Sequence, residues 1–146
     1  MYFVDREKIE ETLQFMEKRL TMLKAQQTWH TEVEKAALER AAETVIEAVL
    51  DVGNALIDGF IMRDPGSYKD IIDILLDEKV LPAETAKKLT EVIAFRKQLV
   101  RGYTRIDHEA LGRMLLDHLG ALGEFPERIR VYLANELGPV NAFKGE

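Results

Sequence analysis

The sequence predicts an all-α protein, an up-and-down bundle of four to five main helices plus a short one, with residues 1–146 forming one domain. Three observations predict it. Apolar residues recur at steps of three and four along most of the chain, the spacing that gathers them on one face of a helix with about 3.6 residues per turn. No segment holds the apolar–polar alternation of a half-buried strand. Cap and breaker residues cut the chain into pieces of helical length. At 146 residues, 47% hydrophobic and 32% charged, the chain can bury a core without metal or disulfide staples.

Asp5 supplies the first N-cap, and Ile9, Leu13, Met16, Leu20 and Leu23 form one apolar stripe on an otherwise charged helix ending within residues 26–30. Thr31, with Glu34 three residues on, is a capping box that opens a second, long helix. Its buried face reads Ala37, Ala41, Val45, Ala48, Val52 and Leu56, and the alanines are small enough to admit a close neighbour. Pro65 and Gly66 break the chain within residues 63–67. A short helix follows, turning Tyr68, Ile71, Ile72, Leu75 and Leu76 inward, and residues 79–82 turn the chain again. Residues 83–100 make a fourth helix, which Gly102 interrupts near its end. Asp107 caps a fifth helix running to about Leu119. Glu124, Phe125 and Pro126 start a sixth, which stops at Gly138 and Pro139.

Composition removes whole classes of function. No apolar run approaches the roughly 20 residues needed to cross a bilayer. Acids near the start of the chain occupy the place where an export signal would be basic, so a cytoplasmic protein without a membrane partner is expected. Cysteine is absent, which excludes disulfides, thiolate metal sites and a cysteine nucleophile. His30, His108 and His118 form no metal-ligand pair at helical spacing and read as surface or cap residues, so no metal or cofactor is expected. Glu43 and Glu47 are four apart but lack a companion histidine, and Glu7, Glu10 and Glu11 read as a solvated face. Gly53 and Gly59 lack the lysine and the strand of a phosphate loop, and Trp29 reads as a packing residue at a helix junction.

Charge singles out one segment. The net charge is −6, yet Arg96, Lys97, Arg101 and Arg105 put four cations and no acid into residues 96–105, leaving −10 on the rest. On a helical wheel Leu89, Val92, Ile93, Arg96, Val100 and Tyr103 share a stripe, so Arg96 stands where a purely structural helix would carry leucine. Arg96 and Tyr103, seven residues apart, point within about 20° of one another on a regular helix. A guanidinium on a buried face needs a counter-charge or a ligand. Two uses are open: an ion pair with Glu47 or Asp51 of the long helix, or an anion site for phosphate.

The stretch Ala94-Phe95-Arg96-Lys97-Gln98-Leu99-Val100-Arg101-Gly102-Tyr103, followed by Ile106-Asp107, resembles the signature of HepT-like proteins of the HEPN superfamily. That signature is an arginine, usually an asparagine after it, a histidine five residues beyond the arginine and a tyrosine two further on. The upstream block Asp64-Pro65-Gly66-Ser67-Tyr68-Lys69-Asp70, with Ile74-Leu75 and Val80-Leu81, resembles the family's segment before that helix. Ala41-Ala42-Glu43 and Asp51-Val52-Gly53-Asn54 resemble its long second helix.

The resemblance implies a HEPN-like helical homodimer, many of whose relatives are toxins of toxin–antitoxin systems that cleave RNA without a metal. It also implies, as partner, a minimal nucleotidyltransferase antitoxin that can adenylylate the motif tyrosine. Carried over by position, Arg96 matches the phosphate-binding arginine and Tyr103 the modifiable tyrosine. Arg96, Arg101 and Tyr103 are then the catalytic candidates, and Arg96, Lys97, Arg101 and Arg105 the RNA- or phosphate-binding set. The chain departs from the signature twice: Lys97 stands at the asparagine and Arg101 at the histidine. A guanidinium cannot exchange a proton near pH 7 as imidazole does, and loss of a positioned acid–base group costs about 10²–10⁴-fold in rate. Binding is therefore expected to survive better than cleavage. His108, just past the segment, or a Lys97 with depressed pKa, would have to act as substitute. The alternatives are a non-catalytic dimeric module of the same fold that binds nucleotide, RNA or protein, and a plain dimerisation module with Arg96 paired internally and Tyr103 in the core.

Overall fold

Apolar residues of both faces of one long helix set the architecture. The computed structural model describes residues 3–138, and every regular element among them is helical. The order is α1 (Arg6–Ala25), α2 (Glu32–Gly59), α3 (Tyr68–Asp77), α4 (Ala83–Ile93), α5 (Arg96–Val100), α6 (His108–Asp117) and α7 (Leu119–Leu137). The all-α bundle expected from the sequence is the fold observed, with seven helical segments among the described residues because the fourth expected helix is split in two. None of these helices is long and apolar enough to cross a membrane.

α1 begins where Asp5 accepts the Lys8 N–H, and its stripe of Ile9, Leu13, Met16, Leu20 and Leu23 is buried throughout. The Thr31–Glu34 capping box is formed in both directions. Beyond it α2 runs through the centre of the molecule, packed by α1, α3, α5 and α6. The face read from the sequence is too narrow: Ala42, Ile46, Val49, Leu50 and Ile57 are buried as well. Ala37, expected inside, is exposed, because it lies near the start of α2 before the neighbouring helices close around it. Gly53 lets α3 lie against α2, since a Cβ there would come within 2.5 Å of Ile71 Cγ2. Gly59 does the same for the N-terminal segment, where a Cβ would meet the Phe3 carbonyl at 2.8 Å.

The burial of α3 and two helix boundaries differ from the sequence reading. In α3, Ile71, Ile72, Ile74 and Leu75 fill the core, but Tyr68 is half exposed and Leu76 only partly buried. The helix expected over residues 83–100 is interrupted at Ala94 and Phe95, where Phe95 N–H bonds back three residues to the Val92 carbonyl and tightens the turn. α5 then ends at Val100, so Tyr103 lies outside any helix and the wheel that aligned it with Arg96 does not apply. α7 starts at Leu119, not at Glu124, and Pro126 lies buried inside it. Pro126 forgoes one backbone hydrogen bond while its ring joins Leu122, Phe125 and Ile129 in the interior. The chain leaves α7 at Gly138, whose φ of 80° suits a residue without a Cβ; Pro139, the other half of the expected stop, lies outside the described residues.

Candidate functional site

Three elements of the bundle, α5, α2 and α3, converge on Arg96. It opens α5 directly after the tightened turn, which aims its side chain at α2. Its Nε donates to Glu47 Oε1 at 2.6 Å, with the two side chains 26% and 36% exposed. Of the two acids weighed from the sequence, Glu47 is therefore the partner. The hydrogen bond from Arg96 to Glu47 is the main reason the guanidinium is held above its usual range. Asp51, one turn further along α2, makes no ion pair among the described residues; partial burial and the Glu47 charge push its carboxyl up.

Beneath the guanidinium lies the Tyr68 ring, its centroid 4.4 Å from Cζ. The turn before α3 delivers it. Asp70 accepts the Gly66 N–H at 2.8 Å, and Ser67 caps α3 by accepting the Asp70 N–H at 3.2 Å, so Tyr68 is held as the first residue of the helix. Sequence reasoning placed Tyr68 in the core. Its role as a platform rests on a contact across 28 residues, Tyr68 to Arg96, which no local spacing reports.

Arg96 carries five N–H donors, and only Nε is engaged. Among the described residues its terminal nitrogens make no hydrogen bond, so the internal pair and an anion-facing edge coexist in one side chain. Lys97, Arg101 and Arg105 are exposed and form no ion pair among the described residues. Tyr103 is 67% exposed, which removes the reading that buries it in the core. Val100 is also exposed, so the expected buried stripe stops at Arg96. Lys97, Arg101 and Arg105 face solvent while Arg96 is partly buried, and Arg96 and Tyr103 are not stacked on one helix face.

The histidines are placed elsewhere. His108 lies 2.6 Å from Glu39 through Nε2, at the start of α6. His118 bridges the α6–α7 corner, with Nδ1 against the Met114 carbonyl and Nε2 2.9 Å from Glu91, whose carboxyl it lowers. Among the described residues no three His, Asp or Glu side chains are grouped to hold a metal. Two acids of the supposedly solvated α1 face have partners: Glu11 pairs with Lys8 on the exposed surface, and Glu10 joins Glu17 in holding Arg130 of α7.

The model of the ribonuclease HepT-like family matches residues 9–129. YutE of Bacillus subtilis (strain 168), provisionally named an RNase, is 53% identical over 144 residues, covering 99% of this chain and 100% of that protein. The solved structure of YutE from Bacillus subtilis, described as a cytosolic protein of unknown function, superposes with a TM-score of 0.94 at 52% identity, covering 98% of this chain and 100% of that one. A tri-AMPylated Shewanella oneidensis HEPN toxin, solved in complex with an MNT antitoxin, shares the fold with a TM-score of 0.72 at 16% identity, covering 86% and 95%. The matched residues take in α2, the Tyr68 turn and the whole basic segment, and the chain belongs to the ribonuclease HepT-like family.

Proposed function

We propose that residues 1–146 act as one homodimeric HepT-like unit, a toxin that engages single-stranded RNA through Arg96, Lys97, Arg101 and Arg105 and cleaves it weakly and without a metal. One observation carries the reading: Arg96 is anchored through Nε to Glu47 and seated on Tyr68, with its terminal nitrogens free. A guanidinium fixed along one edge presents a planar fork to phosphate oxygens with little further ordering to lose. Lys97, Arg101 and Arg105 add positive field around that fork.

Cleavage by internal transfer forms a bond from the ribose 2′-oxygen to phosphorus and breaks the bond to the 5′-oxygen. The 2′-proton must leave and the 5′-oxygen must gain one. Arg101 can stabilise charge building on the phosphate but cannot accept that proton. Water is left both to take that proton and to supply the one that the 5′-oxygen gains, so binding outlasts turnover. His108, committed to Glu39 on the α6 side, is not part of the Arg96 arrangement. A second reading, RNA binding without cleavage, is favoured by the same Arg101.

A toxin needs restraint, and the exposed Tyr103 phenol offers a target for adenylylation by a nucleotidyltransferase antitoxin. The AMPylated HEPN toxin of Shewanella oneidensis, held by its MNT antitoxin, supports this reading. The decisive experiment incubates the purified protein with RNA in EDTA beside Arg96→Ala. Slow cleavage that the substitution lowers by about 10²-fold or more is expected, the scale of a lost charge-stabilising donor. Intact RNA at high protein concentration, with salt-sensitive binding retained, would leave the binding-only reading. Binding unaffected by Arg96→Ala would remove Arg96 from the site.

A further inference from the structure

Past Arg105 the chain runs directly into the wall of a groove. The groove has a volume of about 590 Å³ and lies between the α1–α2 connection, with Trp29 and His30, the first turns of α2, with Lys35, and α6, with His108 and Gly112. Its floor is aromatic. Trp29 is partly buried against the core, and its indole N–H makes no hydrogen bond among the described residues. Gly112 keeps the α6 side low: a Cβ there would already stand 3.4 Å from Trp29 Cδ1.

The charges around the floor are unequally available. Of the three acids, two are occupied: Asp107 caps α6 by accepting the Ala110 N–H, and Glu109 pairs with Arg113 at 2.9 Å, while Asp117, at the far end of α6, makes no ion pair among the described residues. Among the cations, Lys35 is held only loosely, 3.8 Å from an exposed Glu32, and the His30 ring, near enough to Glu34 to feel its charge, makes no hydrogen bond among the described residues. His108 is held in place by Glu39 through Nε2, and its other ring nitrogen makes no hydrogen bond among the described residues. A flat apolar surface with a free N–H, a lysine at the rim and two imidazoles suit a ligand with a planar heteroaromatic ring, hydroxyls and an anionic group. Stacking on an aromatic with a cation beside it is how unpaired bases are held without reading their sequence.

We propose that this groove binds a nucleotide, and specifically an unpaired nucleotide of single-stranded RNA flanking the phosphate held at Arg96. The proposal rests on the RNA reading of the basic segment. The two stations are ordered along α2: Glu39 holds His108 and Glu47 holds Arg96, eight residues or about 12 Å apart along the helix axis. The groove is thus a second contact on the same strand, giving the site reach beyond one phosphate.

Trp29 is the only tryptophan in the chain, so its emission reports on this groove alone. The full-length protein is titrated with a short, fully 2′-O-methylated RNA that cannot be cleaved, and separately with uridine and adenosine monophosphates. Tryptophan emission is followed in one series and anisotropy of a labelled copy of the RNA in another. Saturable quenching that tracks the anisotropy rise is expected, with the dissociation constant raised about fivefold or more by Lys35→Glu, the loss of one phosphate contact. Anisotropy that rises while Trp29 emission stays fixed and Lys35→Glu binds as wild type would overturn the groove and leave the basic segment intact. Quenching by the monophosphates without any RNA binding would support a nucleotide groove and sink the RNA reading. Silence in both series would overturn both.

Discussion

On the α1–α7 side of the bundle, Arg130 commits its whole guanidinium to two carboxylates. Nε and Nη2 bond Glu10 at 2.9 and 2.8 Å, and Nη1 and Nη2 bond Glu17 at 2.8 and 2.9 Å. Glu10 and Glu17 are seven residues apart on α1, two turns, and so present their oxygens on one face. Arg96, on the α2–α5 side, is comparably shielded, 26% exposed against 34%, but makes one hydrogen bond. The difference teaches how to read a guanidinium on a helix face. Arg130, enclosed by two acids, ties elements together. Arg96, gripped by one acid and an aromatic ring, keeps donors in reserve, and its surroundings carry cations without partners.

The largest effect that sharpens this contrast is expected from Arg101→His. Restoring an imidazole beside the poised Arg96 should raise RNA cleavage by about 10²–10⁴-fold, measured in EDTA with Arg96→Ala in the same background as control. If the double variant cuts as fast as Arg101→His, Arg96 is no more functional than Arg130.

Next comes Arg130→Ala. It leaves Glu10 and Glu17, each about 40% exposed, to solvent, so screening limits the loss to about 1–2 kcal/mol. That corresponds to a fall in Tm of roughly 3–6 °C, with RNA binding unchanged. Weaker RNA binding in a folded Arg130→Ala protein would break the contrast.

Tyr68→Leu tests the platform under Arg96. Loss of a cation–π contact of about 0.5–1 kcal/mol predicts RNA binding weakened roughly two- to fivefold, read by anisotropy, with Tm little moved. Unchanged affinity would show that Glu47 alone positions the guanidinium.

The smallest effect is on acid stability. Arg130's hydrogen bonds hold the Glu10 and Glu17 carboxyls below their ordinary value of 4.5. Groups depressed in the folded state add stability that is present above the unfolded value and lost as pH falls through the folded ones. The urea midpoint should therefore drop on acidification below about pH 4.5, and Arg130→Met should flatten that drop. Equal slopes in both proteins would show that other carboxylates govern acid unfolding.

Much of this was legible in the chain. Asp5, the Thr31–Glu34 box and the α1 stripe depend on neighbours three to seven residues away, and each stands where the sequence puts it. The run of four cations without an acid over residues 96–105 is read from the chain directly, although Arg96 folds onto Glu47 of α2. Errors arose where a local signal met a longer-range one. Pro126 reads as a helix start, yet Leu119 and Leu122 extend α7 ahead of it because the core rewards their burial. Tyr103 falls on the α4 wheel only if the helix is continuous, and the turn at Ala94–Phe95 together with the end of α5 removes that condition.

By itself the sequence determined the helical class, the caps at Asp5, Thr31 and Asp107, the absence of thiol chemistry and the replacement of the motif histidine by Arg101. These follow from residue identity and from periodicity within a few turns. Tertiary structure alone decided that Glu47 and not Asp51 takes Arg96, that Tyr68 lies beneath it, and that Trp29, Lys35 and His108 line one groove. Each of those joins residues tens of positions apart, and their meeting is set by how whole helices pack, a condition that no local spacing encodes.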